Sequence, residues 1–98
     1  MATVHPPAER PRVIVRLPGV LVDLFPGAPR RLELEASDVA AMIDALDARW
    51  PGMADRLRDT RPAVRRHINI FRDGDKLKLS SPLAAGDEIF ILTAISGG

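Results

Sequence analysis

The best-defined element of this chain is a single amphipathic stretch. Val39, Met42, Ile43, Leu46 and Trp50 recur at helical spacing, while Asp44, Asp47 and Arg49 fall on other faces. Ser37 before it is a good N-cap, Asp38 suits the positive end of the helix dipole, and Pro51-Gly52 stops it. Most other apolar runs alternate, the period of a half-buried strand. A lone helix has no second long helix against which to bury its apolar stripe, so it must lie on a sheet. That confines the chain to an α+β class with one main helix covering one sheet face.

The strands follow from the same alternation. Arg12 to Leu17 is a β-branched run with Val13, Val15 and Leu17 on one side, and Arg30 to Glu35 turns Leu32 and Leu34 inward. Between them, Pro18-Gly19 and Pro26-Gly27 read as turns in a long connection. After the helix, Met53 to Arg58 has room for one more short helical turn, and Arg61 to Arg66 reads as a basic loop. His67 to Arg72 is a third strand, Asp73-Gly74 a tight turn, Lys76 to Leu79 a short fourth strand, Gly86-Asp87 another turn, and Glu88 to Ile95 the closing strand. The predicted order is β-β-α-β-β-β in residues 12–98, preceded by a proline-rich arm over residues 1–11.

Composition removes several function classes. Lys plus Arg, at 14, nearly balances Asp plus Glu, at 13, which gives no electrostatic case for nucleic acid or an anionic membrane as partner. No apolar run is long enough to span a bilayer, and Met1 to Pro11 lacks the apolar core of a secretory leader. Cysteine is absent, which excludes disulfides, thiolate metal sites and an internal thiol nucleophile. A cytoplasmic protein is expected.

The apolar run Ile89-Phe90-Ile91-Leu92 is followed, after Thr93-Ala94, by Ile95-Ser96-Gly97-Gly98. A glycine pair carries no side chain and tolerates backbone angles closed to other residues. Such a tail can thread a narrow channel and deliver one carboxylate into another protein's active site. The strand order in this length resembles the β-grasp fold of ubiquitin-like proteins, with a mixed sheet. Asn69 within Ile68-Asn69-Ile70-Phe71, then Leu83-Ala84-Ala85-Gly86-Asp87-Glu88-Ile89, then Gly97-Gly98, resemble the ThiS/MoaD family of sulfur carriers. The long first connection and the segment before His67 resemble its CysO-type members. The likeness extends from Arg12 to Gly98; Thr93 stands where the family often has Pro, and Ser96 where Ala is common.

The resemblance implies a carrier and not an enzyme. Gly98 would be adenylated by an E1-like adenylyltransferase using ATP and magnesium, then converted to a thiocarboxylate and emptied by a sulfur-accepting biosynthetic enzyme. Gly97 and Ser96 would serve tail threading, and no cofactor would be bound by the chain itself. The residues agree: there is no Walker-type glycine loop, no metal-ligand spacing and no nucleophile–base pair. His5 and His67 stand isolated, as solvated or strand-edge histidines. Asp73 and Asp75 lack the further ligands of a calcium loop and read as turn residues, and Arg61, Arg65 and Arg66 as a solvated loop.

Alternation also predicts a surface. With Ile68, Ile70, Ile89 and Ile91 inward, Phe71, Phe90 and Leu92 point outward, as does Ile14 on the first strand. In a β-grasp sheet these strands are neighbours, so the four would form one apolar partner-binding patch beside the tail. Two further readings stay open at this point. The same activated Gly98 serves a protein modifier joined to lysines, and a plain β-grasp interaction subunit would use no carboxyl chemistry at all. The sulfur acceptor is equally open among thiamin thiazole, molybdopterin, cysteine and siderophore-type products.

Overall fold

Alternating side chains decide which strands meet. In the computed structural model, which describes residues 10–59 and 64–93, β1 (Arg12–Arg16) pairs antiparallel with β2 (Arg31–Glu35), setting Val13 beside Leu34 and Val15 beside Leu32. All four are buried. β5 (Glu88–Thr93) runs parallel to β1, and β3 (Ile68–Arg72) lies antiparallel on its other side. The short β4 (Asp75–Lys76) completes a five-stranded sheet in the order β2-β1-β5-β3-β4. One parallel pair among antiparallel ones makes the sheet mixed, as a β-grasp requires. Most of the arm lies outside the described residues. Its end does not: the Pro11 carbonyl accepts from Ala36 N at 3.0 Å, extending the β1–β2 ladder.

The inner sheet face is covered by α2 (Val39–Arg49). Val39, Met42, Ile43 and Leu46 have no exposed surface, and they share one core with Val13, Val15, Ile68, Ile70, Ile89 and Ile91. Asp38, and not Ser37, caps this helix. Asp38 takes the extended backbone of an N-cap, and its Oδ1 accepts from Ala41 N at 2.7 Å. Trp50 becomes the half-buried C-cap and leaves the helical stripe one residue early. Asp47, which the helical period places on a polar face, accepts from both Gly52 N and Ala54 N at 3.0 Å. It thereby satisfies the start of α3 (Met53–Leu57), the short helical turn expected there, whose Met53, Ala54 and Leu57 are buried.

Two elements differ from the sequence reading. The first connection contains a short helix, α1 (Gly19–Leu24), where Pro18-Gly19 reads as a turn. The Pro18 carbonyl accepts from Leu21 N and Val22 N, so the proline opens a helix instead of breaking the chain, and buried Leu21 pins it to the core. The fourth strand starts a residue early, at Asp75, and stops at Lys76, not Leu79. Leu77 N still reaches the Ile70 carbonyl, but Lys78 N is then captured by the Ser81 hydroxyl at 2.8 Å, which turns the chain away. The two-residue turn before β4 has positive φ at Asp73 and Gly74, the geometry that Asp-Gly supplies.

Asp87 secures the other turn. Its Oδ2 accepts from Ala84 N at 2.8 Å and from the Arg72 guanidinium at 2.9 Å, while Arg72 also donates to the Pro82 carbonyl. Gly86, at φ +87°, permits the bend. The network joins the end of β3 to the start of β5 and so positions the strand that leads to the tail.

Candidate functional site

β5 is central, with a hydrogen-bonded neighbour on each side, and its two faces carry different duties. Ile89 and Ile91 enter the core. Phe90 and Leu92, 37% and 46% exposed, point the other way. Phe90 lies opposite Phe71 on β3, and Leu92 opposite Asn69. On β1, Arg16 is the register partner of Phe90, and Ile14 that of Glu88. The Arg16 guanidinium donates to Glu88 Oε2 at 2.6 Å and sits 5.7 Å from the centre of the Phe90 ring. An exposed ion pair adds little stability. Its consequence is positional, because it lays a cation against the aromatic face.

The four predicted patch residues therefore share one face, but they do not make a continuous apolar surface. Ile14 is half-buried and lies between Glu33 on β2 and Glu88 on β5. The Arg16–Glu88 ion pair stands between it and the aromatic pair. Phe71, also half-buried, joins Phe90 and Leu92 in a narrower patch.

Further exposed apolar residues lie on α1. Val20 and Leu24 are 48% and 47% exposed, and with Phe90 and Leu92 they are the large exposed hydrophobic residues among those described. A groove of about 460 Å³ brings Phe90 and Leu92 together with Leu17 and Pro18. A second, of about 260 Å³, lies between Val20, Leu24, His67 and Thr93. Leu92 lines the first and Thr93 the second, and these are the last two residues of β5. The sequence did hold a signal for Val20 and Leu24. They are four residues apart around inward Leu21, so a helical reading of this segment turns both outward.

The remaining candidates are dispersed. His67 is exposed and borders the second groove, and the Arg65 guanidinium donates to the Asp55 carbonyl, tying that loop to α3. Asp73 and Asp75 belong to the turn and the start of β4, and Arg66 is exposed. Ser96, Gly97, Gly98, Arg61 and His5 lie outside the described residues. Among the described residues, no group of three His, Asp or Glu side chains is placed to hold a metal ion. No described helix is long and apolar enough to cross a membrane.

Comparison with known proteins gives a consistent picture. The sequence profile of the ThiS family matches residues 15–98. Small archaeal modifier protein 1 of Haloferax volcanii is 32% identical over 72 residues, covering 70% of this chain and 83% of that protein. The sulfur carrier protein CysO of Mycobacterium tuberculosis is 28% identical over 92 residues, covering 88% of this chain and 98% of that protein. The crystal structure of the Amycolatopsis orientalis BexX/CysO complex contains a chain that superposes with a TM-score of 0.78 at 27% identity, over 88% of this chain and 99% of that one. The ubiquitin-like β-grasp architecture is shared with it, and these relatives are small proteins named as a carrier and a modifier.

Proposed function

Because the chain belongs to the ThiS family, we propose that it is a sulfur carrier loaded at Gly98. A carboxylate is a poor acyl donor, since its oxygen is a bad leaving group. In the proposed cycle an E1-like adenylyltransferase lets a Gly98 oxygen attack the α-phosphorus of ATP. Pyrophosphate leaves, with magnesium offsetting the phosphate charge. Hydrosulfide then attacks the acyl carbon, AMP departs, and the thiocarboxylate remains while the proton passes to solvent. A biosynthetic enzyme takes the sulfur. The cycle suits the cytoplasm, where ATP is available.

One observation carries this reading: the family match continues through Gly97-Gly98, the segment that follows central β5. The test is mass spectrometry after incubation with the E1-like enzyme, ATP, magnesium and sulfide. A gain equal to one oxygen-to-sulfur exchange, mapped to Gly98, is expected. Absence of both adenylate and thiocarboxylate would overturn the reading. The likeness to small archaeal modifier protein 1 favours a second outcome, in which the same acyl adenylate ends on a lysine as an isopeptide.

Docking falls to the outer face of β5 in this proposal, with Phe71, Phe90 and Leu92 as contacts and Ile14 at its charged margin. Phe90→Arg should leave the melting temperature near that of the parent, because Phe90 makes no part of the core. Affinity for the activating enzyme, read by calorimetry, should fall by about 2 kcal/mol or more, as for loss of an aromatic interface anchor. If binding is unchanged, the enzyme docks elsewhere. If the domain unfolds, the facing of β5 is shifted by one residue.

A further inference from the structure

The chain contains two lysines, Lys76 and Lys78; its other twelve basic side chains are arginines, out of 14 in all. The distinction matters for acyl chemistry. A guanidinium spreads its electrons over three nitrogens and is a poor nucleophile, whereas a lysine amine attacks an activated carbonyl once it sheds a proton. Both lysines are exposed, and they flank buried Leu77 where the sheet ends at β4. Both also line one groove of about 590 Å³, whose apolar wall is Ala40, Val64, Leu77 and Leu79 and whose other polar members are Asp38 and Ser80. The two side-chain amines of the chain thus share one largely apolar trench.

We propose that this trench is an acceptor site for the tail of a second copy of this chain, joined through Gly98 to Lys76 or Lys78. The tail's composition fits the trench. Ala94-Ile95 supplies apolar side chains for its apolar wall, and Ser96-Gly97-Gly98 is slender enough to lie against the lysines. A second copy is the natural donor, because β3 stands between β5 and β4. Moreover, Thr93 lies beside Ile68, at the end of β3 away from the Phe71–Lys76 pairing. In the joining step the unprotonated lysine nitrogen attacks the carbonyl carbon of the Gly98 acyl adenylate. The bond to AMP breaks, AMP leaves, and the displaced proton goes to solvent. No electron transfer is involved.

This inference rests on activation of Gly98, so the experiment reads activation separately. The full chain is incubated with the E1-like enzyme, ATP and magnesium, without sulfide, while pyrophosphate release is followed. Products are separated under denaturing, reducing conditions, and the linkage is mapped by mass spectrometry. A covalent dimer linked at Lys76 or Lys78 is expected. The double variant Lys76→Arg, Lys78→Arg should release pyrophosphate as the parent does and lose the dimer. Arginine retains the charge that protects a sheet edge from unwanted pairing, so a purely protective role would not respond. Pyrophosphate release with no dimer, a dimer linked through the α-amino group, or a cyclised monomer would overturn the inference while leaving carrier function standing. No pyrophosphate release would overturn both.

Discussion

Deleting Gly97 and Gly98 is expected to abolish the oxygen-to-sulfur mass gain while leaving the melting temperature of the domain unchanged. The two halves of this result have different causes. The core closes at Ile91, two residues before the end of β5, and every buried residue of the core cluster remains in the shortened chain. The chemistry, by contrast, needs a carboxylate on a bare and extended backbone. Truncation would leave Ser96 as the terminal residue, with a side chain at the reacting position and a shorter reach. Gly97→Val should impair loading as well, since a β-branched side chain widens the tail and restricts its backbone. If the shortened chain still gained sulfur, the reacting group would lie elsewhere, and the assignment of loading to Gly98 would fail.

The second large effect concerns stability. Ile43→Ala should cost about 2–5 kcal/mol, the range for truncating a large aliphatic side chain inside a packed core. Ile43 sits midway along α2, has no exposed surface, and belongs to the cluster that α2 forms with the inner face of the sheet. A domain of this kind has about 5–15 kcal/mol in total, so the midpoint of urea unfolding should fall sharply. A loss below about 1 kcal/mol would show that the helix is not closely packed at this point.

Much of this architecture was legible because it depends on period. In β1, β3 and β5 β-branched residues stand at every second position, and the structure turns Val13, Val15, Ile68, Ile70, Ile89 and Ile91 inward as a period of two requires. The α2 stripe was equally plain. Where the sequence misled, competing local signals were involved. Ser37 and Asp38 are both good caps, and only the backbone angles decide between them. α1 has six residues, too few for a period to show between two Pro-Gly pairs. The shortening of β4 depends on one hydroxyl, Ser81, and no alternation pattern reports a captured N–H.

The candidate surface was legible in part for the same reason. Facing follows from alternation, so Phe71, Phe90 and Leu92 were identifiable. What borders them follows from strand register, and that placed Glu33 and Glu88 on either side of Ile14. The contribution of Val20 and Leu24 required α1 to be a helix. Gly98 was legible from residue type and resemblance, and its chemistry remains the proposal that the loading experiment tests.

The central place of β5 has a mechanical consequence. A partner that draws the tail into a narrow channel pulls β5 along its own axis. The ladders to β1 and β3 run across that axis, so the load falls on them in shear, shared along the strand rather than unzipped bond by bond. Ile89 and Ile91 add resistance, since both must slide out of the core before the strand can move. Single-molecule stretching through the C-terminus should therefore show a higher rupture force than stretching that peels β4 from the sheet edge, and equal forces would contradict this account. A taut tail and an intact domain are compatible because the handle is fastened in the middle of the sheet.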